Sequence, residues 1–321
     1  MSGEAVARAH PNLALAKYWG KLERPGNFPA VPSLSVTLGG LVTTTRVRFD
    51  ASLTADSLTL NGAPAIGTEL FRAVKLMDRV RAASGSTLRA NIVSDNDFPT
   101  ASGIASSASG FAALALAASR AAGVDWDAAR VSSEARESSA SAARSVFGGF
   151  VELLAGTDSA RQVAPPDHLD MVVFVCVAAG GKKKDVGSTD GMRRTAAKSP
   201  YYRAWLESAE KNFAELSKAL LAKDFEKMGE LAEASALAMH ASAIAAGVVY
   251  FGAVSLEGLA LVQRLRAEGT LAFATMDAGP HVKILARAAD AAKVRAAIGT
   301  LAGVTRVIEA RPGGPAEVTA S

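Results

Sequence analysis

The chain has 321 residues, 49% hydrophobic and 21% charged, which suits a folded globular protein with room for one large or two medium domains. Net charge is +4 and the isoelectric point is near 9.2, with Lys and Arg scattered, so a solvated surface and a small anionic substrate fit better than nucleic acid. The single cysteine, Cys176, excludes an intrachain disulfide and a thiolate metal cluster; without an apolar N-terminal segment or a membrane-length apolar run, a cytoplasmic protein is expected.

Residues 4–9 read as a short strand, broken at His10-Pro11. In ALAKYWGK, Lys17 and Lys21 stand four apart, which on a helical turn puts both on one face beside Tyr18. Two lysines and a phenol suit a polyanion; an aromatic core turn with solvated lysines is the plainer alternative. Residues 33–50 are rich in Thr and Val and read as β, with Gly39-Gly40 as a hairpin turn or bulge. SLTLNGAPA is a further strand turned by Asn61-Gly62. Residues 68–83 form an amphipathic helix with Leu70, Val74, Met77 and Val80 or Arg81 near one face. LRANIVSDND, which contains Ser94, is a strand leading into Pro99.

The segment from Asp97 to Ala118 passes from a kinked polar start through small residues into an apolar helix. Phe111, Leu114, Ala115 and Ala118 repeat at helical spacing. A small-residue loop feeding a helix N-terminus is suited to anions, because the first N–H groups lack partners and the dipole favours negative charge. The same residues also make an ordinary cap and packing corner. No Lys follows the glycine, so this is not the Gly-x-x-x-x-Gly-Lys-Ser/Thr phosphate loop.

A second helix is expected from Asp127 to Ser133. Ser139, Ser141 and Arg144 then fall within two turns, followed by Gly148-Gly149. A guanidinium there can clamp a carboxylate or phosphate, or sit in a structural ion pair. MVVFVCVAA reads as a central strand with Cys176 as a core residue. GGKKKDVGSTDGM breaks the pattern and marks a boundary, dividing the chain into residues 1–180 and 181–321. Long amphipathic helices follow, with Trp205, Phe213, Leu216, Leu220, Leu231 and Leu237 as core candidates and His240 as a packing residue. SLEGLALVQRLRAEG is another helix. LAFATMDAGPHVKILAR is strand, turn and strand; a helix, a final strand and a loose tail from Arg311 complete the chain. Irregular alternation of β-hairpins and helices argues for α+β in two halves.

Five parts of the chain, in order, resemble the diphosphomevalonate decarboxylases of the GHMP kinase superfamily. They are ALAKYWGK with PSLSVTL, NDFPTASGIASSASGFAAL, SSASAARSVFGGF, KKKDVGSTDGM and TMDAGPHVKIL. The third reads Ser-Ser-Ala-Ser-Ala-Ala where the family has Gly-Ser-Gly-Ser-Ala-Cys. Gly187 replaces a family Ser, and His281 stands where Asn is usual.

The resemblance implies a two-domain GHMP-kinase-like fold, with the ATP loop in the N-terminal domain and the DAGP turn in a helix-rich C-terminal one. It implies phosphorylation of the 3-hydroxyl of mevalonate 5-diphosphate with ATP and Mg²⁺, then loss of phosphate and CO₂ to give isopentenyl diphosphate. By the same resemblance Asp277 orients or accepts the hydroxyl proton, Lys17 offsets phosphoryl charge and Arg144 orients the C1 carboxylate. Tyr18, Lys21, Ser139 and Ser141 hold substrate with Arg144. Ser94, Ser102, Gly103, Ile104, Ala105, Ser106, Ser107 and Ser188 contact ATP, with Ser106 or Ser107 toward Mg²⁺. A homodimer is implied as well. A relative acting on mevalonate 5-phosphate, a 3-kinase that does not decarboxylate, and an inactive nucleotide-binding scaffold are the competing readings.

Overall fold

The strands differ in how many faces they bury, and two separate sheets result. A computed structural model describes residues 3–98, 106–179 and 186–319. The first half holds β1 (Glu4–Ala9), β2 (Asn12–Ala16), β3 (Ser33–Gly39), β4 (Thr43–Asp50), β5 (Ser57–Leu60) and β6 (Ala63–Pro64). Helix α1 (Thr68–Ser84), β7 (Arg89–Asn96), α2 (Ser106–Ala121) and α3 (Ala128–Ser138) follow. A 3₁₀ turn, Ala140–Val146, leads to β8 (Phe150–Leu153), β9 (Arg161–Ala164) and β10 (Met171–Ala178). Next come α4 (Ser188–Lys198), α5 (Tyr202–Leu221), α6 (Phe225–Ala245) and α7 (Ala253–Ala267). The last elements are β11 (Ala272–Met276), β12 (Val282–Arg287), α8 (Ala291–Ile298), β13 (Val304–Pro312) and β14 (Glu317–Thr319).

One sheet runs β14-β1-β4-β7-β5-β6, antiparallel except where β5 meets β7. Along β4 buried positions alternate with more exposed ones, so one face packs and the other meets solvent. The packed face carries Val47, Phe49 and Ile92 against Leu76, Met77 and Leu114 of α1 and α2. The other sheet runs β11-β12-β10-β13-β3-β8-β9, with β2 also paired to β3. β10 is covered on both faces. Val173 and Val175 pack toward α5 and α6; Val172, Phe174 and Cys176 pack toward α7 and α8. This sheet joins strands from before and after residue 180, and the whole is α+β, as expected.

Local chemistry sets several boundaries. Asp127 caps α3 by accepting from Arg130 N–H at 2.7 Å, and Asp224 caps α6 through Lys227 N–H at 2.9 Å.

The structure corrects four expectations. Gly39-Gly40 is not a hairpin turn, because β3 and β4 belong to different sheets. Gly39 instead lies against Gly313; a Cβ there would stand 2.9 Å from the Gly313 Cα, so only glycine permits the approach. ALA before Lys17 is strand, held by pairing of β2 with β3, and no helical face joins Lys17 to Lys21. The tail is not loose: β14 pairs antiparallel with β1 and closes the first sheet's edge. Leu237 faces outward on α6 and is 39% exposed, whereas Trp205, Leu216 and Leu220 are buried as expected. On α1 the buried stripe runs through Ala73, Leu76, Met77 and Val80, and Leu70 and Val74 flank it.

Gly229 on α6 lies against the ring of Phe273 on β11, where an added Cβ would come within 2.1 Å of Cδ2. Both residues are core, so neither yields without repacking. Gly229→Ala should therefore destabilise the fold by about 1–3 kcal/mol, read as a lower denaturant midpoint with unchanged slope.

Candidate active site

A lysine buried at the end of a strand needs an anion, and Lys17 finds one at the far end of the chain. Its ammonium donates to Asp277 Oδ1 at 2.7 Å and to the Ala14 carbonyl at 2.7 Å. Its backbone N–H is anchored by Ser235 of α6 at 3.0 Å. Asp277 follows β11 and starts a tight turn in which Gly279 N–H donates back to its carbonyl at 2.7 Å. A second ammonium, Lys283 on β12, lies 3.2 Å from Asp277 Oδ2. Each carboxylate oxygen thus faces its own lysine.

Burial alone would push the Asp277 carboxyl up, but the charges of Lys17 and Lys283 outweigh it and hold it well below the usual carboxylate range. For Lys17 burial dominates and lowers its pKa to about 8, against the pull of Asp277. The Lys17 side chain is 1% exposed and that of Asp277 29%; the carboxylate's open side faces the cavity.

Arg144 comes from the 3₁₀ turn and is 2% exposed. Its partners are neutral: Ser33 Oγ at 2.7 Å, Ser35 Oγ at 3.1 Å and Asn12 Oδ1 at 3.3 Å. Ser33 and Ser35 are two apart on β3, hence on one face. Asn12 also donates to Ser145 Oγ at 2.7 Å and the Ser141 carbonyl at 3.0 Å, fixing the turn that carries Arg144. Among the described residues no carboxylate forms a salt bridge with this guanidinium. Burial lowers its pKa to about 10, with Tyr18 and Asp277 opposing, and it stays charged at neutral pH.

These groups open onto one cavity of about 590 Å³, lined also by Tyr18, Lys21, Ser139, Ser141, Ser107 and Ser188. Burial raises the Tyr18 phenol above its usual value, and its hydroxyl is buried without a hydrogen-bond partner. Ser139 and Ser141 hydroxyls lie 3.2 Å apart. Lys21 donates to Asn27 Oδ1 at 2.7 Å and Thr189 Oγ1 at 3.2 Å, and its pKa is lowered by burial and then by Arg72. The structure thus gathers residues 17–21, 139–144 and 277 although the chain separates them widely.

Not every expected residue arrives. Ser94 is buried in the first sheet, its hydroxyl 2.8 Å from Thr45 Oγ1, and it does not line the cavity. Ser106 opens α2 beside Ser107, but only Ser107 is a lining residue. Ser102, Gly103, Ile104 and Ala105, and the lysines at 182–184, lie outside the described residues. His281 accepts from Ala178 N–H at 3.0 Å, tying the DAGP turn to the end of β10.

Sequence reasoning missed Arg72, which reaches the cavity from α1 and donates through Nε to the Ser138 carbonyl at 2.8 Å. It also missed Lys283. The signal was present: one lysine inside the apolar run HVKILA must be buried, and a buried lysine needs a carboxylate. Ser33 and Ser35 carried the same kind of signal, as hydroxyls in a wholly buried strand.

A helix N-terminus suits phosphate, and a serine hydroxyl at the head of α2 offers an oxygen ligand to a phosphate-bound Mg²⁺, which takes few ligands from protein. Among the described residues no three His, Cys, Asp or Glu gather as a protein cage would require. No helix among them is long and apolar enough to cross a membrane.

Fold and site define an α+β enzyme with a lysine-flanked carboxylate and a buried guanidinium facing one cavity. A model of the diphosphomevalonate decarboxylase-like N-terminal domain matches residues 9–164, and one of the mevalonate 5-diphosphate decarboxylase C-terminal domain matches residues 173–315. Diphosphomevalonate decarboxylase of Candida albicans is 33% identical over 99% of this chain and 98% of its own. The Homo sapiens enzyme is 34% identical over 85% and 74%. Among solved structures, mevalonate diphosphate decarboxylase from Staphylococcus aureus superposes with a TM-score of 0.94 at 36% identity, covering 100% and 99% of the two chains. A structure described as MDDEF in complex with MVAPP, AMPPCP and magnesium gives 0.93 at 35% identity, covering 100% of both. The chain belongs to the diphosphomevalonate decarboxylase family.

Lys17 sets a pH dependence. If the Lys17 ammonium offsets phosphoryl charge, as the motif resemblance implies, kcat/KM should fall as pH rises through about 8. Stability responds oppositely: from about 8 to 10.5 the unfolded chain binds more protons at this lysine than the folded one, so its contribution to stability rises with pH. A pH–rate profile beside thermal melts separates the two effects, and activity constant to about pH 9.5 would contradict the assignment.

Proposed function

We propose that this chain catalyses ATP-dependent decarboxylation of mevalonate 5-diphosphate to isopentenyl diphosphate, with ADP, phosphate and CO₂ as the other products. One observation carries the reading: a buried guanidinium with neutral partners and a lysine-flanked carboxylate face the same cavity. A kinase needs only the second. A decarboxylase also needs a cation fixed on the carboxylate that leaves as CO₂, and Arg144 is that cation.

The roles divide along the cavity. Asp277 accepts a hydrogen bond from the substrate 3-hydroxyl and orients its oxygen toward the phosphoryl donor. Its two lysines make it a weak base, which suits a loose phosphoryl transfer that needs little proton removal before the transition state. Lys17 offsets charge on the transferred group. Arg144, braced by Ser33, Ser35 and Asn12, holds the C1 carboxylate so that its electrons expel the new phosphate. Tyr18, Lys21, Ser139 and Ser141 bind the substrate with Arg144, and Arg72 adds a cation at the diphosphate end.

ATP supplies the phosphoryl group and Mg²⁺ screens its charge. Ser107 and Ser188, each the first or second residue of a helix, line the cavity and meet the nucleotide phosphates in this proposal. The part of Ser106 and of residues 102–105 in ATP binding rests on the motif resemblance alone. The same proposal keeps the division near residue 180, a homodimer, and a cytoplasmic location.

The test is product identity. Purified protein with ATP, Mg²⁺ and mevalonate 5-diphosphate should release CO₂ and phosphate with isopentenyl diphosphate in equal amounts. Phosphorylated substrate without CO₂ would overturn the decarboxylase reading. In the same assay Asp277→Asn should lower turnover by about 10²-fold or more with little change in ATP affinity.

Arg144→Lys separates the two halves of the reaction. A point charge replaces a planar fork, which should cost about 2–4 kcal/mol in the transition state, or roughly 30- to 1000-fold in turnover. Binding should weaken less. Normal turnover in folded Arg144→Lys protein would retire the role.

A further inference from the structure

The reaction as proposed needs Lys17 to serve two anions, and the geometry points to how it does so. Lys17 lines the cavity and touches Asp277 Oδ1; Lys283 is not a lining residue and touches Oδ2 from the sheet. Lys283 is the second residue of β12, opposite Val175 of β10 and Thr275 of β11, and is 2% exposed. Its backbone is therefore fixed by strands on both sides. The Asp277 turn hangs from the end of β11, six residues earlier.

We propose that Lys283 is a positioning residue for the Asp277 carboxylate: it holds Oδ2 from behind, so that Lys17 can turn its ammonium to the transferring phosphoryl group without leaving Asp277 unpaired. This inference rests on the function proposed above. With a single lysine, each step of charge toward the phosphoryl group would be taken from Asp277. With two, the carboxylate keeps a partner throughout, and its orientation toward the 3-hydroxyl survives the transfer.

Removing Lys283 also changes titration in a defined direction. The groups facing this cluster are Lys17 after β2, Asp277 after β11, Arg144 and Tyr18 beside them, His240 from α6 and Cys176 from β10. Burial lowers His240 to about 4 and raises Cys176 to about 12; Arg144 is lowered to about 10 and Tyr18 lies above its usual value. Of these, Lys17 is the one that titrates near 8. The Lys283 charge lowers Lys17 and lowers Asp277, so its loss raises both.

The test is a pH–rate profile of Lys283→Met, with Lys283→Gln measured beside it as a polar replacement and Lys283→Arg as the charge-keeping one. Lys283→Met and Lys283→Gln should lower kcat about 10-fold or more, with KM values within about threefold. Their alkaline limb should move up by about one pH unit. Lys283→Arg should restore the limb and most of kcat. Melting temperatures on the same samples confine the comparison to folded protein. An alkaline limb and kcat equal to wild type would overturn the inference, as would a lower melting temperature with an unmoved limb. If wild type in that assay forms no CO₂ or isopentenyl diphosphate, the functional reading fails instead, and the two failures are distinct.

Discussion

The Asp277 carboxylate, shared by Lys17 and Lys283, is the interaction on which the site depends. A buried ammonium without a partner is costly, and two of them meet at one carboxylate. That meeting requires β2 and β11 to end, and β12 to begin, at one place, so the electrostatics constrain the topology of the larger sheet. In return the sheet provides rigidity. Lys283 is pinned in register on both sides, and Lys17 is tied to α6 through Ser235. A carboxylate held this way is ionised and oriented at all physiological pH values, which suits orientation of a hydroxyl better than strong proton abstraction.

Arg144 obeys the opposite rule. It has neutral oxygens for partners, so the protein orients the guanidinium without neutralising it. Burial lowers its pKa, because the fold desolvates the guanidinium and gives it neutral hydrogen-bond partners. On the proposed role a substrate carboxylate pairs with it, and binding free energy is drawn from a charge already desolvated in the folded state, at some cost to stability. The serines of β3 and Asn12 of β2 matter to chemistry they do not touch, because they fix the plane of the fork.

A third layer supports the cavity's mouth. Trp19 meets Tyr250 edge to face with centroids 5.9 Å apart, and the Trp205 indole donates to the Trp19 carbonyl at 2.7 Å. The first turn of α4 rests on this cluster. A Cβ at Gly191 would stand 2.4 Å from Tyr250 Oη and 2.9 Å from the Trp19 ring. Ser188 and Thr189 therefore reach the cavity from a helix seated close against Tyr250 and against Trp19, which follows Tyr18 in the chain.

The sequence by itself determined the elements whose signals are local. Helical periodicity showed α2 and the helices after residue 200, and an unbroken apolar run showed β10, whereas α4 begins at Ser188 inside the stretch that read as a boundary loop. The motifs around Lys17, Ser139 to Arg144 and Asp277 marked the groups that now share one cavity. Tertiary structure alone decided what depends on distant pairing. Pairing with β3 made a strand of the segment before Lys17, where spacing had suggested a helical turn. β3 and β4, neighbours in the chain, lie in different sheets, and β3 pairs with β13 where Gly39 lies close to Gly313, some 270 residues away. The tail became β14 because β1 offered an open edge. Lys283 and Ser33 showed in sequence only as polar residues in apolar strands; their roles follow from which anion and which guanidinium the fold set beside them. Periodicity reports which way a side chain points, and what stands opposite it is a property of the assembled sheets.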